Sequence, residues 1–460
     1  MATATTEPVR LPPGPRGPKV VQAIALGLNQ HATIAALCRR YGSPFTMDLP
    51  VFGQTVVISD PVLLKDMFST SRDLFGRPKN NLGEIMGPGS LFNLEGDELI
   101  ARRKLLLPPF HGNRMRRYEH VIENEVMRET ANWPENREFA TLKPIMRITL
   151  NAILRAVFGA KGSALDELRE LIPPSVELGS RIALLPPIAR RDFGRWSPGG
   201  RFLRHRRPLD AIMDKLIADV RDDPAVEERS DVLALLSRVR DEHGQPLPDR
   251  HLANELLTLL VAGYETTSIQ LAWAVERLRR HPRLLTRLTD EVDRGGSELR
   301  HATIWEVQRT RPVLPAGLRR TKARIKLGNW VLPEDTLVLA SIQLAHESEE
   351  HFPDAASFNP DRFADGAPNP FAWVPFGGGM HRCIGAAFAN MEMDVVLRTL
   401  LREFRFAPTD APDERRHNRG VAIAPGQGAR VVVYRRTPDA SSAANSVSVG
   451  DHNSRRLEDG

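Results

Sequence analysis

The chain has only two cysteines in 460 residues, Cys38 and Cys383. Two thiols exclude a disulfide framework and a four-cysteine zinc site, and they point to a reducing compartment. No apolar stretch opens the sequence; MATATTEPVR offers neither a secretory signal nor a membrane anchor. A cytoplasmic protein is expected. Net charge is small, +6 from 63 Lys+Arg against 57 Asp+Glu, with one dense basic stretch at Arg181–Arg207. Only Phe193, Trp196 and Phe202 accompany those arginines, and no reading motif does, so no nucleic-acid partner is expected. A solvated face, a docking face for an acidic protein, or at most a peripheral membrane contact accounts better for them.

What is present is globular: 41% hydrophobic and 26% charged residues, with no repeat and no long flexible linker. The reading is one large, mostly α domain with minor β over residues 11–436. A flexible lead at 1–10 and a Ser/Asn/Asp-rich disordered tail at 437–460 flank it. Strands are expected at Phe45–Asp48, Thr55–Ile58 and within Ile325–Ala340, with Val421–Ile423 pairing Ala429–Tyr434. Helices are expected at Ile100–Leu107, Ile145–Phe158, Leu209–Arg221, Asp231–Val239 and Leu252–Leu278. The last is apolar nearly all round at Leu256–Ala262, so it runs through the domain centre.

The strongest chemical signal is FGGGMHRCIG at Phe376–Gly385. Consecutive glycines let a backbone lie flat against something wide. Cys383 precedes a helix start, where the positive dipole end favours thiolate. A thiolate beneath a flat ligand suits a haem iron, and His381 is placed to reach an anionic group on that ligand. The alternative is an inert buried cysteine in a turn, and the complete F-x-x-G-x-H-x-C-x-G spacing outweighs it. A second signal, AGYETT at Ala262–Thr267, lies inside the long helix. Ala262 and Gly263 are small enough for a flat ligand to lie against, Thr266 can bond back one turn, and Glu265 adds an ionisable group.

These residues resemble the cytochrome P450 haem-thiolate monooxygenases of soluble bacterial type. Phe376, Gly379, His381, Cys383 and Gly385 match that family's cysteine loop, and Glu265-Thr266 match its oxygen-activation site. The resemblance implies that Glu306, Arg309 and Arg362 form a buried charge network holding the cysteine loop. By helical spacing alone, Glu125–Arg128 and Glu276–Arg279 read instead as surface pairs. It also implies that Arg103 and Arg319, with Arg320 as the alternative to Arg319, meet the haem carboxylates. Leu99 departs from the pattern, since the family has Trp or His there; one carboxylate contact is expected to be missing. His346 and His351 are five apart, which does not fit a zinc-protease helix, and read as a polar loop.

The implied cofactor is haem b, with Cys383 as the axial iron ligand. The implied activity is insertion of one oxygen atom from dioxygen into an apolar small molecule. Electrons would come from a ferredoxin and its reductase, NAD(P)H serving only indirectly. A monomer is expected. Leu82, Ile85, Met86, Phe92, Leu259, Tyr264, Val313, Leu314 and Ile423 are the pocket candidates. A haem sensor or carrier, and peroxide-driven oxidation on the same fold, remain alternatives.

Overall fold

The computed structural model describes residues 1–436 except 51, 79–81, 111, 113, 160–161, 184, 186 and 241–243. The tail expected at 437–460 lies outside the described residues. The leading residues are not a loose lead. Thr3 and Ala4 pair antiparallel with Lys326 and Ile325, Ala2 is buried, and the terminal amine meets Asp66 at 2.7 Å.

The largest sheet among the described residues has five strands. Its strands are β1 (Phe45–Leu49), β2 (Gly53–Ile58), β3 (Phe75–Gly76), β4 (Ala316–Thr321) and β5 (Leu337–Ser341), in spatial order β1-β2-β5-β4-β3. Only β2 and β5 run parallel. Val56, Val57 and Ile58 are all buried, as a strand covered on both faces requires. A separate hairpin joins β6 (Arg416–Arg419) to β7 (Ala422–Pro425).

That hairpin corrects one expectation. Val421–Ile423 does not pair with Ala429–Tyr434; Arg430–Val431 pairs with Phe139–Ala140, and Val433–Arg435 with Phe404–Phe406. The Glu414 carboxylate accepts N–H groups from Gln427, Ala429 and Arg430, and this turn redirects the chain.

The helices that matter for the site are α1 (Lys19–Tyr41), α2 (Pro61–Ser69), α3 (Leu82–Met86), α4 (Gly96–Leu106), α5 (Leu142–Phe158), α6 (Ser163–Ile182), α7 (Pro198–Arg221), α8 (Asp249–Leu278), α9 (Glu298–Thr310), α10 (Ile342–His346) and α11 (Ala386–Glu403). The 30-residue α8 is buried along most of its length and packs against α5, α7, α9, α11 and β7. It is the central helix that its all-round apolar sequence demands. Among the described residues α1 alone is long and apolar enough to cross a membrane, and it exposes Val20, Val21, Ile24 and Leu28. Asn29 leaves helical geometry (φ −156°, ψ 91°) and splits it into pieces shorter than the ~20 residues of a span.

Candidate active site

The cysteine loop is shaped from behind by α2. Gly379 has φ +62°, and a Cβ there would lie 2.1 Å from the Phe68 carbonyl oxygen; one on Gly378 would meet the Phe68 ring at 2.4 Å. The glycines are therefore required by α2 and a left-handed turn, which the sequence reading had assigned to a flat ligand. Phe376 accepts the Cys383 N–H at 3.0 Å, and the Cys383 sulfur accepts the N–H of Gly385.

Cys383 is exposed, yet burial pushes its thiol pKa up against the opposing pull of Gly385 N–H, Arg103 and Arg382. Both hold when a sulfur lines a space inside the protein. Burial thus opposes the thiolate that Gly385 N–H, Arg103 and Arg382 favour. Ala262, Gly263 and Thr266 are likewise accessible in the middle of α8, whose neighbouring residues are buried. Internal space lies beside that turn as well. The Thr266 hydroxyl donates to the Ala262 carbonyl at 2.7 Å, as its position one turn on permits. Gly263 also has a packing duty, since a Cβ there would press on Ile153 of α5 at 3.2 Å.

Four basic side chains converge near the loop. Arg77 donates from Nε to His381 Nδ1 at 3.0 Å and from Nη1 to the Leu91 carbonyl at 3.0 Å. Arg103, Arg319 and Arg77 all depress His381 electrostatically, and burial holds its pKa far below the usual value. Burial and Arg77 bring Arg319 down to about 10. Among the described residues, Arg77, Arg103 and Arg319 form no ion pair with a carboxylate. Such a cluster is able to bind an anion. Arg320 points elsewhere, to the carbonyl and carboxylate of Asp335 at 2.7 and 3.0 Å. Arg102, beside Arg103, is spent on buried Glu255 at 3.0 Å. Arg77 was not singled out from sequence; it sits on no motif, and its contact with His381 joins segments 304 residues apart. Leu99 is fully buried in the main core and faces apolar packing.

The charge network is assembled. Arg309 donates to Glu306 at 2.7 and 2.8 Å, and Arg362 Nε donates to Glu306 at 3.3 Å. Arg309 also donates to the carbonyls of His346, Ala355 and Ser357. His346 is no loop residue: fully buried on α10, it accepts the Val374 N–H at 2.8 Å and meets the Arg309 carbonyl at 3.2 Å. It ties the network to the strand of chain entering the cysteine loop. The other two E-x-x-R pairs have buried carboxylates, although Arg128 is exposed and does pair with Glu125. Glu125 is buried between Arg128 and Arg155, and Glu276 is buried against Arg277 and the Glu414 N–H, away from Arg279.

Of the pocket candidates, Leu82 and Met86 line a narrow crevice between α3, α6, α7 and α8. Leu259 and Tyr264 are buried core. The residues contributed by α6 and α7, such as Ile172, Val176 and Phe202, were missed, because aliphatic helix faces carry no chemical signature.

A family model for cytochrome P450 matches residues 12–429. The chain belongs to the cytochrome P450 family. It is 50% identical over 439 residues to a putative cytochrome P450 138 of Mycobacterium tuberculosis, covering 95% of this chain and 99% of that one. It is 36% identical to a putative cytochrome P450 135B1 of the same species, over 97% of this chain and 96% of the relative. Among solved structures, retinoic acid-bound cyanobacterial CYP120A1 superposes with a TM-score of 0.81 at 23% identity, over 94% of this chain and all of that one. The cytochrome P450DA haem domain superposes with a TM-score of 0.80 at 20% identity, over 94% and 99%. P450 members are haem-dependent monooxygenases, so this protein is an oxidoreductase of that class. The residues fit the group. Arg77, Arg103 and Arg319, which pair with no carboxylate among the described residues, suit a group that carries anionic side chains.

Proposed function

We propose that this P450 holds haem b between the cysteine loop and the accessible turn of α8, with Cys383 as the axial iron ligand. The haem supplies dioxygen binding and oxygen-atom transfer. Phe376, Gly379 and Gly385 set the loop that presents the sulfur, while Ala262 and Gly263 leave room on the opposite side. Arg77, Arg103, Arg319 and His381 bind the two carboxylates, and Glu306, Arg309 and Arg362 hold the loop through His346. Thr266 orders water beside Ala262, and Glu265 supplies protons to it. The product is an apolar molecule with one oxygen atom inserted.

The observation that carries this reading is the meeting of an inward-facing cysteine with Arg77, Arg103, Arg319 and His381, which pair with no carboxylate among the described residues. An acidic ferredoxin with its reductase, drawing on NAD(P)H, suits the basic surface as electron donor. A cytoplasmic monomer, with no nucleic-acid partner, is the accompanying reading. Phe193 and Trp196, exposed among arginines, allow at most peripheral contact with an anionic membrane. The reading is tested by the absorption spectrum of the reduced carbon monoxide complex. The long-wavelength band of thiolate ligation is expected, and Cys383→His should abolish it with haem still bound. Survival of that band in the variant rejects Cys383 as ligand. Turnover that needs reduced ferredoxin, and is not replaced by peroxide alone, separates the monooxygenase from the peroxide-driven and carrier readings.

A further inference from the structure

Gly89, Ser90 and Leu91, in the irregular chain between α3 and α4, are buried, so their polar groups must find partners inside the protein. Side chains supply them. Gly89 donates its N–H to Asn254 Oδ1 at 3.2 Å, and its carbonyl accepts from Arg102 Nη1 at 3.0 Å. The Ser90 hydroxyl accepts from Thr258 at 2.7 Å, and the Leu91 carbonyl accepts from Arg77 Nη1 at 3.0 Å. Asn254 and Thr258 belong to α8 and are themselves buried. The segment lies hard against that helix: a Cβ on Gly89 would sit 2.3 Å from the His251 Cα.

Glu255, also on α8, is the acid among these contacts. It is fully buried, and the Arg102 Nη1 that meets Gly89 also donates to Glu255 Oε2 at 3.0 Å. The Leu91 N–H and the Arg77 guanidinium both favour its charged form, and Glu255 in turn favours the charged form of Arg77. Its Oε1 makes no hydrogen bond. Holding a backbone segment needs no ionisable group, because a neutral amide accepts the same hydrogen bonds without the penalty of burying a charge. The charge therefore has a duty beyond packing. Leu91 shows where it leads: its N–H is turned toward Glu255, and its carbonyl fixes Arg77, which donates to His381 Nδ1 at 3.0 Å.

We propose that Glu255 is a positioning residue for the cofactor: through Arg102 and the Gly89–Leu91 segment it aims Arg77 at a haem carboxylate. The proposal rests on the reading that Arg77, Arg103, Arg319 and His381 hold haem b. Glu255 has the same sign of charge as the haem carboxylates, so it acts through Arg77 and not by contact. The first turns of α8 are thereby tied to the cofactor edge.

The test is a double-mutant cycle on the ferric holoenzyme at pH 8.5, where Glu255 is charged although burial brings its pKa up to about 7. Haem transfer to an acceptor globin is timed for the wild type, Glu255→Gln, Arg77→Gln and the pair. Glu255→Gln should speed haem loss about fivefold in the wild-type background and less than about twofold in the Arg77→Gln background, where the contact it supports is already gone. The resonance Raman propionate-bending band, which reports hydrogen bonding to the haem carboxylates, should shift in the same direction in both single variants. Equal acceleration in the two backgrounds makes Glu255 a packing residue and overturns the proposal. An unchanged rate or an unmoved band in Glu255→Gln does the same. If Glu255→Gln does not fold, because Arg102 is left buried without its carboxylate, Glu255→Gln/Arg102→Met removes both charges and enters the same cycle with the same expected outcomes. A normal thiolate band with additive effects removes Glu255 alone, whereas a wild type without that band removes the haem-thiolate reading and the proposal with it.

Discussion

Glu265 gives its carboxylate to Arg419, not to its neighbour Thr266. Oε1 accepts from Arg419 Nε at 3.0 Å, while the Thr266 hydroxyl is turned to the Ala262 carbonyl. Adjacent helical residues point about 100° apart, so the two sample different surroundings. Glu265 faces Ser180 and Glu177 on α6 and Arg419 at the end of β6. The hairpin tip is pressed against α6: a Cβ on Gly420, at φ +63°, would lie 2.4 Å from Ser180.

Burial raises the pKa of Glu265, Glu177 adds to the rise, and Arg419 and Ser180 oppose it. Removing the guanidinium in Arg419→Gln should raise it further. A carboxyl that keeps its proton to higher pH donates it to higher pH. The basic limb of the pH profile for reductant consumption should therefore move up by about one unit. Arg419→Lys should restore most of the wild-type profile, and Glu265→Gln should remove that limb. An Arg419→Gln profile superimposed on the wild type would detach Arg419 from proton delivery.

The second prediction concerns Arg77 and Leu99. A histidine at position 99 would add a carboxylate donor if that side chain faced the cofactor, as the sequence suggested. Leu99 is fully buried in the core, so an imidazole there is desolvated without a partner. Leu99→His should lower stability and should not slow haem transfer to an acceptor globin. On the proposed reading, Arg77 is expected to supply the missing contact. A hydrogen bond to a charged group contributes about 1.5–3 kcal/mol, so Arg77→Gln should speed haem loss by at least about tenfold. Slower haem loss in Leu99→His, or an unchanged rate in Arg77→Gln, reverses the assignment.

Local chemistry made much of this molecule legible. The Cys383 loop, the Glu306–Arg309–Arg362 set and the central helix each carry their pattern within a short stretch, and the structure forms the helix and the contacts of the charge set at those residues. What escaped depends on contacts between distant segments. Arg77 reaches His381 from 304 residues away, and Arg419 reaches Glu265 from 154. No spacing rule connects such pairs. The burial of Glu125 and Glu276 was equally hidden, because E-x-x-R reads the same on an exposed face and on one covered by a later helix.

His346 supplies the third prediction. Its Nε2 accepts from Val374, so Nδ1 carries the proton and donates to the Arg309 carbonyl. Burial, with Arg309 nearby, lowers its pKa to about 3. The unfolded chain binds a proton near pH 6.5, so between about 6.5 and 3 the unfolded state holds more protons. Stability should fall as pH drops through that window. His346→Phe should remove this part of the acid sensitivity. It should also cost about 1–3 kcal/mol, because it leaves the Val374 N–H without its acceptor. Denaturant unfolding at pH 4.5 and 7.5 measures both effects, and an identical pH dependence in the two proteins would refute the role.

Glu392 titrates with the opposite sign. It is 1% exposed on α11, bonds to Thr267 of α8, and has one carboxyl oxygen without a hydrogen-bond partner. Burial pushes its pKa up to about 8. At neutral pH the folded protein therefore carries it as a neutral acid, wedged against the residue that follows Thr266. The unfolded chain releases this proton near pH 4.3, so between about 4.3 and 8 the folded state holds more protons and stability falls as pH rises. Glu392→Gln keeps the shape and cannot ionise. Its stability relative to wild type should improve by on the order of 2–4 kcal/mol between pH 5 and pH 8.5. The variant should keep its thiolate band, since Glu392 is assigned no contact with the cofactor. If the difference between the two proteins stays flat over that range, the carboxyl ionises at an ordinary pH, and water must reach the junction of α8 and α11 to solvate it.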